Sequence, residues 1–327
     1  MIRTKITGTG SYLPKKILTN ADFEKMVETS DEWILTRTGI KERHIAEDDE
    51  KTSDMALKAA ERALKDANIS SNDIDCIIVA TITPDMSFPS VACILQDKLI
   101  AKNCMAFDFN AACTGFIYGL QLADALIKTG EAENVLLVAS EKLSAITDYT
   151  DRNTCVLFGD GAGAVVLSKT DEDCGILSVF TGADGSKGEL LKKHGGLTRL
   201  PFSKMTAYDY RNTFLYMDGK AIFKSAINRM TSSLTEALKK AGKDLSDLDM
   251  IIPHQANMRI IEMVKEFAKL NDDQVYVCLP KTGNTSASTI PIALDEAYKT
   301  GKLKRGMLLG LTAFGGGLTY GASVIRM

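Results

Sequence analysis

Four short runs of mainly apolar residues punctuate the chain: CIIVAT (76–81), NVLLVAS (134–140), DMIIP (249–253) and GMLLGL (306–311). The stretches between them carry apolar positions at helical spacing. In PHQANMRIIEMVKEFAKL, Ile260, Ile261, Val264 and Phe267 form one stripe, while Arg259, Glu262, Glu266 and Lys269 lie off it. Apolar strands alternating with amphipathic helices predict an α/β fold with a mostly parallel sheet covered on both faces. In such sheets ligands gather beyond the carboxyl ends of the strands.

The pattern repeats. ALKDANISSNDIDCIIVA (63–80) lies over ALKKAGKDLSDLDMIIPH (237–254), each a helix end, a loop, an acidic-apolar step and a short strand. CTGFIYGLQLADALIKTGEAENVLLVAS (113–140) lies over NTSASTIPIALDEAYKTGKLKRGMLLGL (284–311), anchored on Asp124 with Asp295 and on two KTG triplets. FGDGAGAVVLS (158–168) lies over FGGGLTYGASVIR (314–326). Three matches in one order predict two copies of a single β/α unit, 1–170 and 171–327. The first copy carries extra residues between Glu141 and Phe158. Residues 181–215 mix glycine, lysine and aromatics and read as a surface excursion or an active-site cover.

Composition narrows the class. With 327 residues and 45% hydrophobic content, the chain can bury more than one core. Its 39 basic and 42 acidic residues leave a net charge of −3, which argues against bulk nucleic-acid binding. Seven cysteines, odd in number and without a CxxC pair, form neither a disulfide framework nor a metal site and suggest a reducing compartment. No apolar run is long enough for a membrane span and the N-terminus has no signal-like core, so a cytoplasmic protein is expected.

The repeat also gathers chemistry. In these alignments Cys113 stands opposite Asn284, and His254 opposite Ala80 at a strand end. A free cysteine is more often a small core hydrophobe. At the start of a helix, however, the dipole and unpaired N–H groups are expected to lower its pKa and favour thiolate. The small neighbours Ala111, Ala112, Thr114 and Gly115 leave room for a substrate carbonyl. Histidine and asparagine add N–H donors suited to an oxygen gaining negative charge. A thiol with two such donors fits acyl transfer from a thioester, followed by carbanion chemistry.

The segments AACTGF, PHQANMRII, GNTSAST and FGDGAGAVV, with DEWILTRTGIKERHIA and FGGGLTYGA, resemble the β-ketoacyl-acyl-carrier-protein synthase III family. These are the initiating condensing enzymes of type II fatty acid synthesis, in the thiolase superfamily. The resemblance spans essentially the whole chain. It implies a duplicated thiolase-like fold, five-layered α-β-α-β-α, and no cofactor or metal beyond the thioesters that the substrates carry. It further implies that Cys113 takes an acyl group from acyl-CoA, while His254 and Asn284 steady the enolate of malonyl-acyl carrier protein. The Cys113 and Gly316 N–H groups would form the oxyanion hole. Trp33, Arg37, Arg152 and Asn257 would hold CoA, and Phe314 would lie over the site, although Phe314 equally suits packing. Gln255, Ala256, Asn257, Met258 and Arg259, with Lys224, would meet the carrier protein. Phe88 would reach a partner subunit's acyl pocket, implying a homodimer.

Other features have plainer readings. Trp33 is the only tryptophan, placed on a short helix by a Thr29-to-Glu32 capping pattern, where it could equally anchor a core. GDGAGAVVLS runs into a strand and GTGSYLP into Pro14, so neither is a nucleotide loop opening a helix. Tight turns or close backbone approach suit both strings. His44 and His194 lack metal-like company. A priming synthase for polyketide or alkylquinolone-type products would use the same three residues. A papain-like hydrolase would need Asn284 behind His254, and a non-catalytic acyl-CoA scaffold would leave Cys113 in the core.

Overall fold

The computed structural model describes residues 2–206, 209 and 212–327. The first half runs β1 (Arg3–Tyr12), β2 (Lys16–Thr19), α1 (Asn20–Phe23), α2 (Asp31–Thr38), β3 (Glu42–Ile45), α3 (Thr52–Ala67), β4 (Cys76–Ala80), α4 (Val91–Lys98), β5 (Met105–Phe109), α5 (Gly115–Thr129), β6 (Asn134–Glu141) and β7 (Gly161–Thr170). The second runs β8 (Gly175–Ala183), β9 (Leu191–Lys193), β10 (Leu215–Met217), α6 (Gly219–Ala241), β11 (Met250–Pro253), α7 (Met258–Ala268), α8 (Leu279–Thr282), α9 (Thr289–Lys299), β12 (Leu308–Gly315) and β13 (Thr319–Arg326).

Two sheets carry the duplication. The order β1-β7-β6-β4-β5 in one is matched by β8-β13-β12-β11 in the other. In the first sheet β4 runs parallel with both β5 and β6, in the second β11 runs parallel with β12, and the next pair in each, β6 with β7 and β12 with β13, is antiparallel. The counterpart of β5 is reduced to a single parallel bridge between Ile251 and Val275.

Three apolar cores make five layers. Between the sheets, α5 and α9 bury Phe116, Ile117, Leu120, Ile290 and Leu294 against Ile78, Val165, Ile252 and Leu309. On the outer face of the first sheet, Met55, Ala59 and Ala63 of α3 and Leu95 of α4 cover Ile77, Val79 and Val166. On the outer face of the second, Met230 and Leu234 of α6 and Ile261 and Val264 of α7 cover Ile251, Leu308 and Val324. Each fully buried large side chain contributes about 1.5–3 kcal/mol, and the central layer draws on both halves. At Gly163, α9 lies so close to β7 that a Cβ would stand 2.7 Å from Pro291 Cβ. Asp295 of α9 binds back to β1 by accepting from Thr9 Oγ1 at 2.8 Å and Ser11 Oγ at 2.5 Å.

Several local expectations are corrected. In α7, Ile260, Ile261, Val264 and Ala268 are buried, but Phe267 is 42% exposed because it falls at the margin of that stripe. The cap of α2 is Ser30, whose Oγ accepts from Trp33 N at 3.1 Å, and not Thr29. The GTGS string lies inside β1 and makes no turn; its glycines let α3 approach the strand. The excursion begins after Ala183 and folds β9 against β10 as a two-stranded flap. Residues 207, 208, 210 and 211 of that excursion lie outside the described residues.

Candidate active site

The carboxyl ends of the parallel strands open on one cavity of about 1550 Å³. Cys113, His254, Asn284, Phe314 and Gly316 all line it, as do Trp33, Arg37, Ala256 and Asn257. The flap adds Leu191, Leu215 and Met217 to the wall.

Cys113 sits in a one-turn helix, Ala112–Thr114, that leads into α5. The turn begins at Ala112 with φ 46°, a left-handed conformation that costs a non-glycine residue about 1 kcal/mol or more. Asn110 holds it by accepting from Ala112 N at 3.1 Å. Behind Cys113, Gly315 of β12 presses so close that a Cβ would stand 2.6 Å from Cys113 N. Only glycine at 315 lets the 315–316 backbone and the Cys113 N–H share one wall.

The second half repeats this turn with a shifted register. Residues Ser286–Ser288 lead into α9, Ser286 has φ 54°, and Asn284 Oδ1 accepts from Ser286 N at 2.9 Å. Asn284 is therefore the counterpart of Asn110, and Cys113 corresponds to Ala287. The alignment placing Cys113 opposite Asn284 is corrected. It follows the KTG triplets at the helix ends, whereas α9 has 11 residues to the 15 of α5 and the helix starts align differently. With Oδ1 occupied, Asn284 has its amide N–H₂ left for a ligand. Its backbone is pinned to the first half, since Asn284 N donates to Leu157 O at 2.9 Å and Gly159 N to Asn284 O at 3.1 Å.

His254 follows β11 and is 3% exposed. Its N–H donates to Thr312 O at 2.8 Å, and ring Nδ1 lies 2.7 Å from Thr289 Oγ1. Burial lowers its pKa to about 3, so the ring is neutral near pH 7. Nε2 is then the ring nitrogen left for chemistry. Asn284 does not stand behind the ring, which removes the arrangement of a papain-like hydrolase. The expected lowering of the thiol pKa is also corrected: burial pushes Cys113 up to about 11, outweighing the Ser286 hydroxyl. In the resting site the thiol keeps its proton.

At the mouth, Trp33 is flanked by two guanidinium groups, Arg152 Cζ at 5.3 Å and Arg37 Cζ at 5.8 Å from the ring centroid. Arg152 Nη1 also donates to Glu28 O at 2.8 Å. Asn257 caps α7 by accepting from Arg259 N, and its Nδ2 donates to Arg37 O at 2.9 Å. Outside the cavity, Arg259 lies over Phe223, 5.0 Å from the ring centroid, and beside that ring the chain continues to exposed Lys224. Met258 is half-buried against Gly39. Gln255 departs from its expected surface role. It is fully buried, donating to Pro253 O at 2.7 Å and accepting from Cys278 N at 3.1 Å. Phe88 is not among the cavity-lining residues, although Met86 and Ser87 just before it are, and it is 84% exposed.

Sequence reasoning missed Asn110, Glu141, Ser286 and Thr289. Asn110 has a findable signal, an asparagine followed by small residues before a helix, as in GNTSAST. Glu141 had none, being one carboxylate after an apolar strand. Among the described residues, no cluster of His, Cys, Asp and Glu is placed to hold a metal ion, and no helix is long and apolar enough to cross a membrane.

Comparison with known proteins bears on the same loops. The profile of 3-oxoacyl-(acyl-carrier-protein) synthase III matches residues 107–185, and its C-terminal profile matches 238–327. A β-ketoacyl-acyl-carrier-protein synthase III of Caldanaerobacter subterraneus subsp. tengcongensis is 53% identical, over 99% of this chain and 98% of that protein. The crystal structure of 3-oxoacyl-acyl-carrier-protein synthase III from Aquifex aeolicus superposes with TM-score 0.93 at 49% identity, covering 99% of this chain and 100% of that one. The priming β-ketosynthase of the R1128 polyketide pathway superposes with TM-score 0.94 at 33% identity, covering 99% and 96%. The doubled, thiolase-like fold thus comes with about half identity over full length, and both helix-start turns fall inside the matched profiles. On these grounds the chain belongs to the β-ketoacyl-acyl-carrier-protein synthase III family of condensing acyltransferases.

Proposed function

We propose that the protein condenses a short acyl-CoA with malonyl-acyl carrier protein by decarboxylative Claisen condensation. The products are β-ketoacyl-acyl carrier protein, CoA and CO₂, and the reaction starts type II fatty acid synthesis. The observation that carries this reading is the fixed orientation of Asn284. Its oxygen is held by Ser286 N, so its N–H₂ joins His254 and Cys113 on one cavity wall.

In the first half-reaction Cys113 Sγ loses its proton to His254 Nε2 and attacks the thioester carbonyl. The Cys113 and Gly316 N–H groups receive the oxyanion, the C–S bond to CoA breaks, and CoA leaves with the proton. In the second, His254 and Asn284 donate to the thioester oxygen of the malonyl group as CO₂ departs. The enolate carbon attacks the acyl-Cys113 carbonyl and frees the Cys113 thiolate, which takes up a proton from solvent to restore the resting thiol. Neutral donors suit this task because they stabilise the enolate oxygen without protonating its carbon. Phe314 covers the site.

Trp33, Arg37, Arg152 and Asn257 are assigned to CoA, the indole to adenine and the guanidinium groups to phosphate. Arg259 and Lys224, with Ala256 and Met258 beside them, are assigned to the acidic carrier protein. Lys265 adds little there, because it is paired with Glu262 and with Asp272 at 2.6 Å. We assign the halves 1–170 and 171–327 as copies of one unit, the thiol in the first and the imidazole and amide in the second. The protein acts as a cytoplasmic homodimer with Phe88 entering the partner subunit, and it uses no cofactor beyond its substrates' own thioesters.

Intact-protein mass spectrometry with a panel of acyl-CoAs tests the scheme. One acyl group is expected on Cys113, lost in Cys113→Ser. His254→Ala and Asn284→Ala are expected to acylate in part but to leave malonyl-acyl carrier protein undecarboxylated. A protein left unlabelled by every acyl-CoA would sink the reading. Loading only by starters of a specialised pathway would move it to the priming-synthase alternative.

A further inference from the structure

The two half-reactions ask opposite things of one imidazole. Acylation needs His254 Nε2 bare, to take the Sγ proton. Decarboxylation needs Nε2 protonated, to donate to the enolate oxygen. A ring buried and neutral carries one proton, so the nitrogen bearing it decides which task it can perform. That choice is set by the partner of the other nitrogen.

In a Ser-His-Asp triad the partner is a carboxylate, which can only accept and so locks the proton on Nδ1. Here the partner is the Thr289 hydroxyl, 2.7 Å from Nδ1. A hydroxyl can donate or accept. Thr289 Oγ1 also lies 3.1 Å from Ser286 O, which can only accept. With its hydrogen on Ser286 O, Thr289 accepts from Nδ1–H and Nε2 is bare. With its hydrogen turned to Nδ1, Thr289 donates and Nε2 carries the proton. Thr289 is 1% exposed, so water does not substitute for either arrangement from outside.

We propose that Thr289 is a positioning residue whose hydroxyl turns between Ser286 O and His254 Nδ1, letting His254 change tautomer between the two half-reactions. This rests on the roles given above to Cys113 and His254. In the resting enzyme the Sγ–H donor favours a bare Nε2. After acylation that donor is gone, and the malonyl thioester oxygen is an acceptor that favours Nε2–H. The exchange balances through water in the cavity when the ring swings briefly off Thr289: Nδ1 gives its proton to water, Nε2 takes one from it, and the ring is neutral before and after. When the ring returns, Thr289 meets it with its hydroxyl turned from Ser286 O to Nδ1.

The test separates the half-reactions. Wild-type protein, Thr289→Val and Thr289→Ser are compared for the rate of Cys113 acylation by acyl-CoA and for malonyl-acyl carrier protein decarboxylation. Nitrogen-15 NMR of labelled histidine, assigned with His254→Gln, reads the tautomer before and after acylation. Wild-type His254 is expected as Nδ1–H in the free enzyme and Nε2–H in the acyl-enzyme. Valine offers Nδ1–H no acceptor, so the ring should stay Nε2–H. Acylation should then fall roughly a hundredfold or more, in the range of lost base catalysis, with decarboxylation much less affected. Serine should restore both. A single tautomer in both wild-type states would overturn the proposal, as would equal losses in the two half-reactions of Thr289→Val. Either result leaves acyl transfer to Cys113 standing, whereas failure of wild-type protein to acylate would remove both readings. Should Thr289→Val not fold, the wild-type tautomers and Thr289→Ser still decide.

Discussion

His254 and Glu141 are buried titratable groups whose shifts oppose each other. Glu141 ends β6, is fully buried, and accepts from Thr83 Oγ1 at 2.5 Å and Ile82 N at 3.1 Å. Burial raises its pKa to about 7, against donors that lower it. For His254 the unfolded chain takes up a proton below pH 6.5 that the folded ring refuses, so stability falls as pH drops from 6.5 toward 3. For Glu141 the folded carboxyl keeps a proton that the unfolded chain has lost, so its contribution is complete below pH 4.5 and fades as pH rises through 7. Each slope is at most about 1.4 kcal/mol per pH unit, and between pH 4.5 and 6.5 they cancel. In urea unfolding the contributions of these two groups should therefore offset each other across that window in the wild type. In Glu141→Gln stability should climb with pH, and in His254→Asn it should decline. Level profiles in both variants would show that neither group titrates there. The sequence offered His254 through its place after a repeated strand, but Glu141 matters only because the 81–83 loop folds over it.

At the scale of elements, α2 carries Trp33 and Arg37 to the cavity mouth, and Ser30 fixes where that helix begins. Ser30→Ala should cost about 1 kcal/mol at the helix start. Fraying there moves both side chains that we assign to CoA, so KM for acyl-CoA should rise with kcat little changed. Steady-state kinetics with acyl-CoA varied would check this, and an unchanged KM would detach α2 from CoA binding. The helices and parallel strands were legible because burial imposes a period on the sequence. Their exact starts were less so. The KTG triplets aligned α5 and α9 at their ends and hid that Asn110 and Asn284 are mates, because a shortened helix leaves no mark in an apolar pattern. The cap on α2 slipped by one residue for a similar reason: Thr29 and Ser30 both have hydroxyls, and only Ser30 Oγ reaches Trp33 N.

At the scale of the whole molecule, β5 stands at the edge of the first sheet, its far side unpaired among the described residues. Met105 on that strand is 51% exposed, and Phe88 and Ile100 nearby in the chain are 84% and 83% exposed. An open apolar edge of this kind invites another strand. Light scattering should give twice the chain mass, and Met105→Lys should shift it toward monomer while lowering acylation. A wild-type monomer with full activity would sink the dimer.

What the sequence determined by itself was the doubled α/β architecture and the residue types of the site. Both are written in local patterns: apolar periods, a repeated order of segments, and the motifs around Cys113, His254 and Asn284. Tertiary structure alone decided how those groups are poised. Burial keeps the thiol protonated and the imidazole neutral, reversing the expectation drawn from the helix start. Hydrogen bonds from Ser286 N to Asn284 Oδ1 and between Thr289 and His254 Nδ1 choose which atoms are left for substrate. Gln255, read as surface, is interior because its amide serves two chain segments at once. Such facts depend on which distant segments exclude water from a group and which atom of a partner comes within 3 Å, and neither is encoded in the period or order of residues along the chain.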